Sequence, residues 1–248
     1  MTRHMKRLFP FAAALLLAAG CGLKTASYND DQAIPLSEGQ GDSLILSVSV
    51  EYPVKGVSQE ALDRMTASIL DAAFDMEEKS ATVEETAARY EDNLKDEYFN
   101  EYEGRIVAGD RTWEDRVIGF FSGKYKGFQS YMVDYYTSRG GAHGVETLTP
   151  MVFNRKTGEI VPEEVFFADG YRAGVAGLIQ AHLLEALDND EDALAAINEP
   201  ESVGPNGFYE VDEDGVTWYY QPYEIAPFSM DVIIVTVPWS EIKGFVRK

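Results

Sequence analysis

The chain has 248 residues, 45% hydrophobic and 12% aromatic, with 42 acidic against 21 basic residues and a net charge of −21. That charge argues against nucleic acid and against docking on anionic lipid head groups, and it favours cationic partners. A single cysteine, Cys21, excludes an intramolecular disulfide, and no stretch after it is an apolar run of membrane-spanning length.

Arg3, Lys6 and Arg7 form a positive n-region, Leu8 to Leu17 a short apolar stretch, and Ala18-Ala19-Gly20 a run of small residues. This pattern predicts a secretory leader over residues 1–20. LLLAAGC resembles the bacterial lipobox, with Ala18 where leucine is usual. The resemblance implies cleavage before Cys21 and lipidation of its thiol. Gly22 follows, so the aspartate-type inner-membrane retention signal is missing. The expected location is the cell envelope, at the periplasmic face of the outer membrane, with the lipid as the only membrane attachment. Loss of Arg3, Lys6 and Arg7 leaves 18 basic residues against 42 acidic ones, a net charge of −24.

Residues 21–42 are polar, small and without periodicity, and read as a flexible tether. Leu44, Leu46, Val48, Val50 and Tyr52 then alternate with Ser47, Ser49 and Glu51, which predicts a half-buried strand. From Ser58, Leu62, Met65, Ile69 and Ala73 recur at helical spacing. Thr82 with Glu85 forms a capping box ahead of a second helix striped by Val83, Ala87, Tyr90, Leu94 and Tyr98. Its other side, with Glu84, Glu91, Asp92 and Lys95, reads as a solvated face. Trp113 to Val161 is aromatic, β-branched and punctuated by Gly123, Gly127 and NRKTG, which predicts an antiparallel meander.

Pro162, Glu163 and Glu164 open a short helix. A longer one runs over 171–187, with Val175, Leu178, Ile179, His182, Leu183 and Ala186 on its buried face. GFYEVDEDGVTWYYQ reads as a hairpin turning at Asp214-Gly215, and DVIIVTV as a fully buried strand. The expected fold class is α+β, with antiparallel sheets and packed helices in two closely associated halves, 43–161 and 162–248.

Chemistry-bearing residues are sparse. His182, on an apolar helix face, reads as packed core. His143 sits in SRGGAHGVET among three glycines, with Glu146 three residues on. On a strand that spacing sends the two side chains to opposite faces, so they would not share a metal. No nucleophile elbow surrounds Ser138. Asp188, Asp190, Asp192 and Glu199 match calcium-loop spacing, but Ala193 stands where the loop needs glycine. Neither a phosphate-binding loop nor a dinucleotide fingerprint is present. No metal, cofactor or catalytic residue is expected. Gly140, Gly141 and Gly144 are explained by a strand reversal needing φ > 0 or close approach.

GGAHG, FNRKTGEIV with EEVFF, and FYEVDEDGVTWYYQPYEIAPFSMDVIIVTVPWSEI together resemble the paired ectodomain modules of the RsiV anti-sigma factor family. The resemblance covers roughly residues 43–248 and is carried by Gly140 to His143, Phe153 to Gly158, Glu163 to Phe167 and Gln221 to Pro227. The first module also resembles the domain ahead of the catalytic part of PdaC-type peptidoglycan deacetylases. The resemblance implies two packed α+β halves that bind and do not catalyse; RsiV recognises lysozyme. The chain departs from that family in having no transmembrane helix or cytoplasmic segment, and from the deacetylases in having no catalytic domain. The expected function is a lipid-anchored envelope binding protein for a lysozyme-like cationic partner, with Gly140, Gly141, His143, Gly144, Tyr223 and Glu224 as candidate binding residues. The alternatives are a cell-wall glycan binder using Trp113, Trp218, Tyr219 and Tyr220, and a hydrolase centred on His143.

Overall fold

The structure, a computed structural model, describes residues 22–37, 42–77, 82–102, 111–141 and 143–248. Cys21 and the leader lie outside the described residues. Among those described, six helices accompany a five-stranded and a three-stranded sheet, both mostly antiparallel.

The expected tether is instead the first strand. β1 (Lys24–Pro35) pairs antiparallel along its length with β2 (Ser43–Lys55). Its alternation is hidden because the inward-facing residues are largely polar. Tyr28 donates its hydroxyl to Glu91 Oε1 at 2.9 Å and Gln32 donates to Glu91 Oε2 at 2.9 Å. Glu91 is therefore buried, not on a solvated face. Burial is the main force pushing its carboxyl up to about 7, and neighbouring Asp30 adds to it. Acidic residues and a proline on an edge strand also discourage pairing with other chains.

Two helices join β2 to β3 (Trp113–Tyr125). Ser58 caps α1 (Gln59–Phe74) by accepting from Ala61 N, and Asp75 ends it in the left-handed region at φ 39°. Thr82 Oγ1 accepts from Glu85 N at the start of α2 (Val83–Tyr102). This crossover returns the chain to the same end of the sheet, so β2 and β3 run parallel, the one departure from an antiparallel arrangement in this sheet. β4 (Phe128–Arg139) and β5 (Val145–Asn154) complete the expected meander. Helices and sheet enclose Val48, Val50, Met65, Ile69, Val117, Tyr131 and Phe153.

The second half holds α3 (Glu163–Phe166), α4 (Tyr171–Ala186), α5 (Glu191–Ala195), β6 (Tyr209–Val211), β7 (Gly215–Tyr220), β8 (Ile233–Pro238) and α6 (Trp239–Ile242). The hairpin turns at Asp212 to Asp214, where Asp212 Oδ1 accepts from the amides of Asp214 and Gly215. β8 is not fully buried. Ile233, Val235 and Val237 face the core, whereas Ile234 and Thr236, on the other face of this strand, are exposed. Trp218 lies at the centre, its ring parallel to Phe167 at 6.0 Å, and Nε1 donates to Glu163 Oε1 at 2.7 Å. Gly207 N donates to the other Glu163 oxygen at 2.8 Å.

The halves share side chains. Val152 and Val161 pack into the second core. Ser130 Oγ donates to Val211 O and accepts from Val211 N. Tyr125 stacks on Trp239 with ring centres 3.8 Å apart. Gln221 both donates to and accepts from the Leu148 backbone.

Candidate functional site

The β4–β5 turn meets the 221–232 loop between β7 and β8, and a cleft of about 330 Å³ opens between them. Arg116 and Tyr136 come from the sheet, His143 and Glu146 from the turn and the start of β5, and Phe228 and Asp231 from the loop. The three glycines play different parts. Gly140 has φ +72°, open to glycine and strained for other residues. A Cβ on Gly144 would overlap the Tyr136 ring. Gly141 has open space around its Cβ position and an ordinary φ.

His143 is exposed, its ring stacked on Phe228 with centres 4.3 Å apart and planes 29° from parallel. Nδ1 lies 3.4 Å from Gly144 O. The expectation that His143 and Glu146 face opposite ways is corrected: both line this cleft. His143 precedes the first residue of β5, Val145, so strand alternation does not apply to it.

Glu146 is nevertheless engaged elsewhere. It pairs with Arg116 Nη2 at 2.5 Å, and Asp134 lies 3.4 Å from the same nitrogen. Burial opposes the charge on Arg116, but the two carboxylates outweigh it and raise its affinity for its proton. The guanidinium also lies 5.3 Å from the Tyr136 ring centre.

Tyr223 and Glu224, paired as candidates in the sequence, have separate positions. Tyr223 is 72% exposed, with φ +70°. Its ring lies 5.5 Å from Phe228, so it joins the cluster at the loop's tip. Glu224 ties the loop down by accepting from Gln221 N at 2.9 Å and Asn206 Nδ2 at 2.9 Å. Sequence reasoning missed Arg116, Phe228 and Asp231. Their only signal was proximity of Phe228 and Asp231 to the QPYEIAP block, since no periodicity marks a loop residue.

His182 is not packed core. It is partly exposed, with Nδ1 3.2 Å from Glu185 and Nε2 3.3 Å from Glu241. It lines a second cavity, of about 320 Å³, with Ile234, Thr236 and Pro238. The two carboxylates lie against different ring nitrogens and do not converge on one point. Asp190 uses its side chain to cap α5 through Asp192 N and Ala193 N. Among the described residues no group of three or more His, Cys, Asp or Glu side chains could hold a metal ion. Trp113, Trp218, Tyr219 and Tyr220 are all buried, and among the described residues no helix is long and apolar enough to cross a membrane.

Residues 164–240 match the family described as "Protein of unknown function (DUF3298)". No curated protein matches the chain. A solved DUF3298 family member from Bacteroides fragilis is similar over 91% of this chain and 94% of its own, with 20% identity and a TM-score of 0.76. A DUF3298 family protein from Pseudomonas aeruginosa is similar over 92% of this chain and 97% of its own, with 14% identity and a TM-score of 0.66. These likenesses concern the fold.

Proposed function

We propose that this chain is a cell-envelope binding protein, anchored through a lipid on Cys21, that captures a cationic protein and catalyses nothing. Lysozyme-like enzymes are the first partner to test, on the strength of the RsiV-like segments. The observation that carries the reading is the aromatic cluster of exposed His143 and Tyr223 around half-buried Phe228, rimmed by Glu146 and Asp231 at the junction of the halves. Clustered aromatics supply contact area and the surrounding carboxylates steer a basic partner. The hydrolase reading is weaker because Glu146 is engaged by Arg116 and His143 stacks on a phenylalanine. Burial of Trp113, Trp218, Tyr219 and Tyr220 removes the aromatic platform that motivated the glycan reading.

Calorimetry of residues 22–248 against lysozyme at two ionic strengths tests the partner. Binding should weaken with salt, as the Debye length shrinks from about 10 Å at 0.1 M to about 3 Å at 1 M, yet persist. Tyr223→Ala and Phe228→Ala should each weaken it at least about tenfold. Absence of a complex at low salt overturns the lysozyme assignment. Equal binding of cytochrome c that vanishes at moderate salt reduces it to charge attraction. Cys21→Ser should move the protein from the membrane fraction to the soluble fraction and abolish fatty-acid labelling; membrane retention without label overturns the anchor.

A further inference from the structure

The two sheets have edges of opposite character. β1 closes the five-stranded sheet with a polar strand that carries Asp30, Asp31 and Pro35. In the three-stranded sheet, order β6-β7-β8, the β6 side is taken up by the first half, where Ser130 Oγ both donates to and accepts from the Val211 backbone. β8 forms the other side. Its six residues, IIVTVP, carry no charge, and an uncharged apolar edge is a template for a further strand.

The hydrogen-bond phase fixes which groups of β8 face outward. Trp239 N donates to Asp214 O at 3.1 Å, one step beyond the Gly215–Pro238 pair. In an antiparallel ladder, hydrogen-bonded pairs recur at every second residue. Val237, Val235 and Ile233 therefore bond to β7. The N–H and C=O groups of Ile234 and Thr236 point away from it, about 7 Å apart. The β6–β7 ladder has the matching phase. Tyr219 N donates to Phe208 O and Asp212 N to Gly215 O, which leaves Val216, Trp218 and Tyr220 to bond toward β8. Among the described residues, neither Ile234 nor Thr236 has a backbone bond beyond the sheet. Pro238, third in this row, has no N–H to leave open.

The edge forms one wall of the cavity of about 320 Å³, and the end of α4 forms the other through His182, Glu185 and Ala186. Val175, Ile179 and Leu183 of α4 share the core with Val235, whereas Ile234 and Thr236 project from the opposite face of the strand. A cavity lined by both must wrap the edge. Its charge has one sign. Glu185 and Glu241 flank His182. The segments that build the cavity, 182–192 and 233–242, hold five and one acidic residues and no lysine or arginine. Lys243 follows α6, and Lys126 lies over the Tyr125 ring beyond Trp239; neither lines the cavity.

We propose that the free edge of β8 accepts an extended basic segment of a partner protein as a fourth strand. This surface shares no lining residue with the His143 cleft, and the proposal stands without that cleft. Residues directly opposite in a ladder point to the same face. Guest residues opposite Ile234 and Thr236 lie on the open face, where apolar or β-branched side chains cover Ile234. The guest residue between them, opposite Val235, points toward α4, where a lysine or arginine meets Glu185 and Glu241. The recognised pattern is apolar–basic–apolar in a segment free of proline. Main-chain bonds provide the affinity and alternate side chains the selectivity. A second copy of this chain is the poorer occupant, because pairing two β8 edges brings two acidic walls and two acidic chains together.

The test is fluorescence anisotropy of the full chain with a labelled peptide, TVKVKVT. It should bind, and TVEVEVT should bind at least about tenfold more weakly. A version of TVKVKVT methylated on every backbone nitrogen keeps the charge, offers no N–H, and should lose binding. Thr236→Pro, which removes an outward N–H but no bond to β7, and Glu185→Lys should each weaken binding at least about tenfold. Circular dichroism checks that both variants fold, and the methylated peptide tests the same bonds on the unaltered chain. Phe228→Ala, in the His143 cleft, should leave binding unchanged. Absence of binding, equal binding of the basic and acidic peptides, or undiminished binding of the methylated one overturns the proposal. Loss of binding in Phe228→Ala moves the peptide to the His143 cleft and overturns it too. A dimer in sedimentation equilibrium that Thr236→Pro separates gives the edge to a second copy, with the same consequence.

Discussion

Each half of the molecule buries carboxylates, and Glu163 and Glu91, one from each half, serve different ends. In the second half, Glu163 receives N–H donors from Trp218 and Gly207, deep under aromatic rings. In the first, Glu91 receives a phenol O–H and an amide N–H from β1, an edge strand. Burial raises the proton affinity of both, and in each case hydrogen bonds to the charged form act against that rise. One donor of Glu163, Trp218, stands at the centre of the core, and the other, Gly207 N, comes from the loop ahead of β6. The donors of Glu91 come from a strand with little apolar surface, and Asp30 adds a second negative charge beside it. A buried acid therefore locks the core in one half and makes strand docking responsive to its surroundings in the other.

The largest effect should come from Trp218→Ala, which empties the centre of the second core and removes a donor from Glu163. A loss of about 3–5 kcal/mol is expected by urea denaturation. A loss below about 1 kcal/mol would mean that this half does not depend on its aromatic core.

The contrast between the acids is sharpened by pH. Folded Glu91 holds its proton more tightly than an unfolded carboxyl near 4.5, with its own midpoint at about 7. Its contribution is thus fully present below about 4.5 and is lost as pH rises through about 7. Glu91→Gln should remove roughly 1–3 kcal/mol of that decline, measured as the difference in unfolding free energy between pH 4.5 and pH 8. Parallel pH curves for variant and wild type would show that Glu91 does not titrate in this range.

At the junction of the halves, Gly144→Ala should cost about 1–2 kcal/mol, because the added methyl displaces Tyr136. Fluorescence or calorimetry should show partner binding weakened along with stability, since Tyr136 lines the cleft. Gly140→Ala should cost about 1 kcal/mol through its positive φ, with little change in binding. The smallest effect, within about 0.5 kcal/mol, is expected for Gly141→Ala, whose surroundings are open. Equal costs at all three would refute the separate roles assigned to them by the geometry.

Much of the fold was legible because its signals are local. The alternation of Leu44 to Val50, the caps at Ser58 and Thr82, and the meander from Trp113 depend on neighbours within a few residues. The glycine turn was legible for the same reason. β1 was not, since Tyr28 and Gln32 find their partner about 60 residues away on α2 and look like linker composition without it. The same long-range contact turned Glu91 from a surface residue into a buried one.

The sequence by itself determined the strand and helix periods, the turns, the acidic surplus and the position of the lone cysteine, because each follows from residue type and spacing. Only the tertiary structure decided which polar residues are buried, and that His143 meets Phe228 and shares a cleft with Glu146. Those outcomes depend on which strand ends become neighbours, and that is settled by packing the two halves against each other, which no local pattern encodes.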